Sequence, residues 1–169
     1  MTQDPPGLHL EGLRHWLTTN VPTFGSEFTY QLLAGGRSNV SYRLTDTAGR
    51  SIVVRRPPLG HVMPSAHDMS REYKVMSGLH SVGFPTPKAL GLCTDDSVIG
   101  ANFMVMDFVT GRTIDTEQAA VLLGATEADM MSCSLVDTLA QLHRIEPSAA
   151  GLGDLGKPIG FLSRQVKRW

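Results

Sequence analysis

Three observations predict an α+β fold built on a five-stranded antiparallel sheet with one packed helix. Strand-like runs come as three and then two, with one helix between them and further helices only afterwards. Short turns rich in Gly, Asp and Pro separate the runs, as a meander requires. Strands do not alternate singly with helices, which disfavours a doubly wound parallel sheet.

The elements follow in order. Leu10, Leu13 and Leu17 recur at helical spacing beside Trp16, so residues 8–20 are expected to form an amphipathic helix, ended by Asn20 and Pro22. Phe28 to Ala34 is the first expected strand and Gly35-Gly36-Arg37-Ser38-Asn39 its connection. Val40 to Leu44 is the second, and Asp46-Thr47-Ala48-Gly49 turns into the third, Ser51 to Arg55. Pro57, Pro58 and Gly60 stop it. Ser65, with Asp68 three residues on, is the expected cap of the next helix, whose face is marked by Met69, Tyr73, Met76 and Leu79. Gly83-Phe84-Pro85-Thr86-Pro87 then forces extended chain. Two more strands are expected near Ala89–Cys93 and Phe103–Phe108, divided by Thr94-Asp95-Asp96-Ser97. Beyond Gly111 the pattern turns helical. Thr126 and Asp129 mark a start, and Met131, Leu135, Leu139 and Leu142 share one face, widened by Val136 and Ile145. Gly151 to Gly160 is loop-like and leads into a basic helical start from Phe161.

Composition narrows the function classes. The 169 residues carry 15 basic and 16 acidic side chains, a net charge of −1, with 41% hydrophobic residues. That balance argues against nucleic-acid or anionic-membrane partners. No run approaches the ~20 apolar residues of a membrane span, and no secretory signal opens the chain. Cys93 and Cys133 form no CxxC, which disfavours a disulfide framework or a Cys-rich zinc site. A cytoplasmic location is expected.

The segment from Gly35 to Asn39 sits between two strands, where glycines let backbone N–H groups approach phosphate oxygens and Ser38 and Asn39 add short polar side chains. The same letters suit an ordinary hairpin turn. The segment is neither a Walker loop nor GxGxxG.

That order of elements, together with Leu33-Ala34-Gly35-Gly36-Arg37-Ser38-Asn39-Val40-Ser41-Tyr42-Arg43-Leu44, Val53-Val54-Arg55-Arg56-Pro57-Pro58, Arg71-Glu72-Tyr73, the run from Phe103 to Arg112, Leu139-Ala140-Gln141-Leu142-His143 and the terminal Arg164-Gln165-Val166-Lys167-Arg168-Trp169, resembles the N-terminal lobe of protein-kinase-like phosphotransferases. The nearest likeness is to the aminoglycoside phosphotransferase family, in the branch that also occurs fused to acyl-CoA dehydrogenase domains. It spans about residues 28–169. Residues 1–24 are expected as an N-terminal helix and linker; the resemblance implies a nucleotide-binding lobe over 25–109 and a hinge exit with the first helices of a truncated C-terminal lobe over 110–169.

The resemblance implies ATP or GTP with Mg²⁺ as cofactor. It implies a nucleotide site made of Gly35, Gly36, Ser38, Asn39, Arg55, Glu72, Met106, Asp107 and Val109. Arg55 stands where such kinases usually carry the lysine that holds the α- and β-phosphates, and Glu72 would pair with it. The alternatives are a solvated strand end for Arg55 and a surface carboxylate for Glu72. Arg56 should face the other side of the strand and is expected to be solvated. Met106 would sit behind a nucleobase met by the Asp107 carbonyl and the Val109 amide.

Phosphoryl transfer also needs an acceptor-orienting Asp, then an Asn and an Asp to hold magnesium. The chain contains only Asn20, Asn39 and Asn102. Gly153-Asp154 imitates part of the catalytic loop, but Ile159 stands at the Asn position. No catalytic residue and no magnesium ligand are therefore assigned. The chain is expected to be an incomplete kinase-like domain, partnered by nucleotide and by a missing C-terminal lobe or by its own copies. The alternative is a non-catalytic nucleotide-binding or oligomerising module, linked to acyl-CoA metabolism by analogy alone.

Overall fold

A computed structural model describes residues 4–33, 39–60, 67–114, 116–156 and 159–167. The chain divides into two compact units, one of Met1–His80 with Pro85–Val109, the other of Ser81–Phe84 with Thr110–Trp169.

The first unit holds the sheet. Strands β1 (Phe28–Leu33), β2 (Val40–Asp46), β3 (Ser51–Arg56), β4 (Ala89–Cys93) and β5 (Phe103–Asp107) lie in the order β1-β2-β3-β5-β4. Every neighbouring pair is antiparallel. The predicted α+β class and the five-stranded sheet are both present. Asp46 makes the β2–β3 turn by accepting the backbone N–H groups of Ala48 (3.0 Å) and Arg50 (2.9 Å), and it also takes that of Gly25 (3.1 Å). These bonds hold its carboxyl below the ordinary aspartate pKa, with the Gly25 bond the largest cause.

Helix α1 (Leu10–Asn20) covers one face of the sheet. Its leucines recur so that Leu13 and Leu17 are buried, together with Leu8, Val21 and Phe24, against Tyr42, Leu44, Ile52, Val54, Phe103 and Val105. Burying each large apolar side chain contributes about 1.5–3 kcal/mol. Trp16 packs edge-on against Phe103 at 4.9 Å.

Helix α2 (Met69–Ser81) starts differently from the expectation. Asp68 itself is the cap, its Oδ1 accepting the N–H groups of Ser70 (2.9 Å) and Arg71 (3.1 Å). Ser65, the expected cap, lies outside the described residues, as do Ala34 and Gly35 to Ser38.

The second unit is helical. Helix α3 (Glu117–Val121) was not anticipated; Thr116 caps it by accepting the N–H of Ala119 at 3.1 Å. Helix α4 (Gly124–Arg144) begins two residues before Thr126, and α5 spans Phe161–Val166. His143 is exposed in the last turn of α4. No helix among the described residues is long and apolar enough to cross a membrane.

Candidate nucleotide site

In an antiparallel pair, residues directly opposite one another project to the same face. Ser41 lies opposite Arg55, and Arg55 opposite Met104. In the next row Arg43 lies opposite Val53, and Val53 opposite Met106. These six side chains therefore share the face that α1 does not cover.

Glu72 reaches that face from the first turn of α2. Arg55 Nε donates to Glu72 Oε2 at 2.8 Å, and Arg55 Nη1 donates to Ser41 Oγ at 3.1 Å. The other carboxylate oxygen, Oε1, accepts from Asn39 Nδ2 at 2.7 Å. Asn39 Oδ1 lies 2.7 Å from His67 Nδ1. The Arg55 and Glu72 side chains remain 30% and 34% exposed, so solvent screens the pair and its worth is geometric more than energetic. A guanidinium offers five N–H donors in a planar fork. The bonds to Glu72 and Ser41 engage Nε and Nη1, and among the described residues nothing is bonded to Nη2. Such a fork suits bidentate pairing with phosphate or carboxylate.

In the next row of the same face, Met106 is half-buried beside Val53, which is 6% exposed. The Asp107 N–H donates to the Lys88 carbonyl at 2.9 Å. By alternation its side chain leaves the Arg55 face, so the backbone is what Asp107 can offer there. Val109 is exposed and is the last residue of the first unit. The Arg43 guanidinium stacks 4.2 Å from the Phe108 ring centroid and donates to Ser51 Oγ from Nε (3.1 Å) and Nη2 (3.0 Å).

The structure thus brings Asn39, Arg55 and Glu72 into direct contact and sets Met106 on their face, with Asp107 and Val109 following in the chain. Gly35, Gly36 and Ser38 lie outside the described residues. Sequence reasoning missed Ser41, Val53, Arg43 and His67. The first two carried a usable signal, since Val53 stands two positions before Arg55 and must share its face. Among the described residues, no three His, Cys, Asp or Glu side chains gather as a metal site.

Arg56 corrects an expectation. It does face away from Arg55, but it is not solvated: only 6% of it is exposed. Its Nη1 donates to the carbonyls of Gly7 and Ile99, the latter at 3.3 Å, and its Nε to that of Pro57 at 3.1 Å. The N-terminal segment covers the strand end, with Tyr42 donating its hydroxyl to the Pro6 carbonyl at 2.6 Å. Burial lowers the pKa of Arg56 and raises that of Tyr42, each opposed by the charge of the other. Gly7 adopts φ 73°, and a Cβ there would collide with Leu59 and the Arg56 guanidinium, so only glycine fits.

Comparison with known proteins identifies the family of this fold. A family model described as "Phosphotransferase enzyme family" matches residues 29–169. Acyl-CoA dehydrogenase family member 11 of Rattus norvegicus is 36% identical over 164 residues, covering 95% of this chain and 21% of the rat protein. The Gallus gallus protein of that name is 38% identical over 161 residues, covering 93% of this chain and 20% of its own length. The chain thus spans about a fifth of the curated relatives it matches. A crystal structure of a "putative aminoglycoside phosphotransferase" from Ralstonia eutropha superposes with a TM-score of 0.74 at 32% identity, covering 94% of this chain and 45% of that one. With the family model spanning the sheet, the Arg55–Glu72 pair and the helices that follow, the chain belongs to the phosphotransferase enzyme family.

Proposed function

We propose that the chain supplies the nucleotide-binding part of an ATP- or GTP-dependent small-molecule phosphotransferase. The observation that carries this reading is the Arg55–Glu72 bond of 2.8 Å, with Ser41 on the same guanidinium. Arg55 pairs with phosphate oxygens while Glu72 keeps its fork aimed at them. Backbone N–H groups at Gly35, Gly36 and Ser38 approach the phosphates, and Asn39 closes that segment. Val53 and Met106 supply an apolar wall for the base, whose edge meets the Asp107 carbonyl and the Val109 amide. Magnesium bound to the nucleotide would neutralise phosphate charge, and no residue of this chain is assigned to hold it.

The chain alone turns over no substrate in this reading, because no Asn follows Asn102 to complete a catalytic loop. The reading places it in the cytoplasm, where the exposed free thiol of Cys133 stays reduced, with neither nucleic acid nor membrane as partner.

The test is calorimetric titration of the chain with ATP–Mg²⁺ and with GTP–Mg²⁺, repeated on Arg55→Ala. Binding by the parent chain that weakens at least tenfold in the variant is expected. Equal binding by both would overturn the assignment of Arg55. Nucleotide-dependent phosphoryl transfer by the chain alone would overturn its inactivity.

A second reading is favoured by α4, where Met130, Leu135 and Val136 are 68%, 71% and 64% exposed. It makes the chain a non-catalytic nucleotide-binding or oligomerising module, in acyl-CoA metabolism if the names of its relatives carry over. Concentration-dependent light scattering without nucleotide would favour it.

A further inference from the structure

We infer that Asn39 and His67 are positioning residues, which hold the Glu72 carboxylate, and through it the Arg55 fork, in the orientation that pairs with phosphate. The inference deepens the nucleotide-binding reading and rests on it for the word phosphate.

The hydrogen-bond directions form one chain. A carboxylate only accepts, so the Asn39 atom at 2.7 Å from Glu72 Oε1 is its amide nitrogen. The amide oxygen therefore faces His67, and the 2.7 Å contact requires the imidazole to carry its proton on Nδ1. His67 donates to Asn39, Asn39 to Glu72 Oε1, and Arg55 to Glu72 Oε2. Both carboxylate oxygens are pinned, so the carboxylate cannot rotate about its last torsion without breaking a charge-assisted bond.

Burial sorts the roles. Asn39 is 5% exposed and uses both ends of its amide within the protein. Arg55 is the more open group, with its side chain 30% exposed. Asn39 therefore acts through Glu72, while Arg55 is the group placed to touch a ligand. Three separated stretches of chain meet here: the start of β2, the end of β3 and the entry to α2. An asparagine at the foot of β2 thereby makes the strand cation and the helix carboxylate one unit.

The test uses the full 169-residue chain. Its first readout needs no nucleotide: solvent exchange of the Arg55 Nε–H proton, followed by nitrogen-15 NMR. Exchange should be slow in the parent and about tenfold faster in Asn39→Ala, the loss expected for one hydrogen bond to a charged group. His67→Ala should fall between them. His67→Asn should return the parent rate, because its amide N–H reaches the position of Nδ1. The second readout is ATP–Mg²⁺ affinity, which should fall about tenfold in Asn39→Ala and fall no further when that change is added to Glu72→Ala. Unchanged Arg55 exchange in Asn39→Ala, or affinity losses that simply add, would overturn the inference. Should Asn39→Ala fail to fold, the His67→Ala and His67→Asn pair decides on the exchange rates. A parent chain that binds no nucleotide sinks the proposed function, while the Arg55 exchange still judges the positioning.

Discussion

Arg55 and Arg56 are consecutive in β3, yet their guanidinium groups serve opposite faces of the sheet. The first donates to Glu72 and Ser41 on the face that α1 does not cover. The second is buried among the carbonyls of Gly7, Ile99 and Pro57. Strand alternation makes the division, and the two cations should therefore fail in different ways when removed.

Loss of Arg55 should be felt in binding and hardly in stability. Its pair with Glu72 is about one-third exposed, so Arg55→Ala should change unfolding free energy by no more than about 1 kcal/mol. Affinity for ATP–Mg²⁺ should fall by about 10–100-fold, as for charge-assisted bonds worth roughly 1.5–3 kcal/mol. Arg55→Lys should recover part of it, because an ammonium keeps the charge but cannot hold Glu72, Ser41 and a phosphate from one rigid fork. Calorimetry and urea unfolding on the same samples separate the two effects.

Loss of Arg56 should do the reverse. Arg56→Ala leaves the Gly7 and Ile99 carbonyls buried beside a hole and should destabilise the fold by about 2–4 kcal/mol. Nucleotide affinity, measured where the variant remains folded, should stay within about twofold of the parent, since Arg56 never reaches the Arg55 face. A variant as stable as the parent would show that the N-terminal segment is not fastened there.

Asp46 predicts a pH dependence with a definite sign. Its folded-state pKa lies below the ordinary aspartate value because the Gly25, Arg50 and Ala48 N–H groups favour the ionised form. A depressed carboxyl contributes stability that is fully present above its unfolded pKa and is lost as pH falls through the folded one. Asp46→Asn should therefore melt below the parent at pH 7, and the gap should close as pH falls below about 4. Melting curves between pH 7 and pH 2.5 check this. A gap that widened on acidification would refute it.

Gly91 predicts a packing failure with its own optical signal. A Cβ at Gly91 would stand 2.7 Å from Trp16 Cη2, inside any permitted contact, and the indole is already braced on Phe103. The ring cannot swing away without giving up its contact with Phe103, so Gly91→Ala should cost about 1–3 kcal/mol, the usual range for overpacking. Trp16 emission should shift in the folded variant, and urea unfolding followed by fluorescence measures both effects.

The sheet was legible because its information is local. Alternation in Phe28–Leu33, Val40–Asp46 and Ser51–Arg56, with Asp46 to Gly49 between the last two, encodes strand and turn over a few residues. The Arg55–Glu72 pair was legible through resemblance, since nothing local to either residue links them across 17 positions. The Asn39–Glu72 bond spans 33 positions and the Asn39–His67 contact 28, which no periodicity reports. Arg56 misled because a cation beside two prolines reads as solvated, whereas the chain 49 positions earlier folds over it. Helix α3 was missed because five residues are too few for an amphipathic period, and only Thr116 announced it.

Ser77 offers a substitution that should stabilise. It lies within α2, and its Oγ is buried with no hydrogen-bond partner, alone in this among the described side chains. A buried hydroxyl left unpaired forfeits its bonds to water and gains none from the protein, a penalty of roughly 1–3 kcal/mol. Alanine removes that group, is smaller by one oxygen, and is also the better helix former by a few tenths of a kcal/mol. Against these stands the small void where the oxygen was, which should take back part of the gain. The balance favours Ser77→Ala by about 1 kcal/mol. For a chain of this size that raises Tm by about 2–4 °C. A Tm at or below the parent's would mean that water already satisfies the hydroxyl, and calorimetric melting of the two proteins decides it.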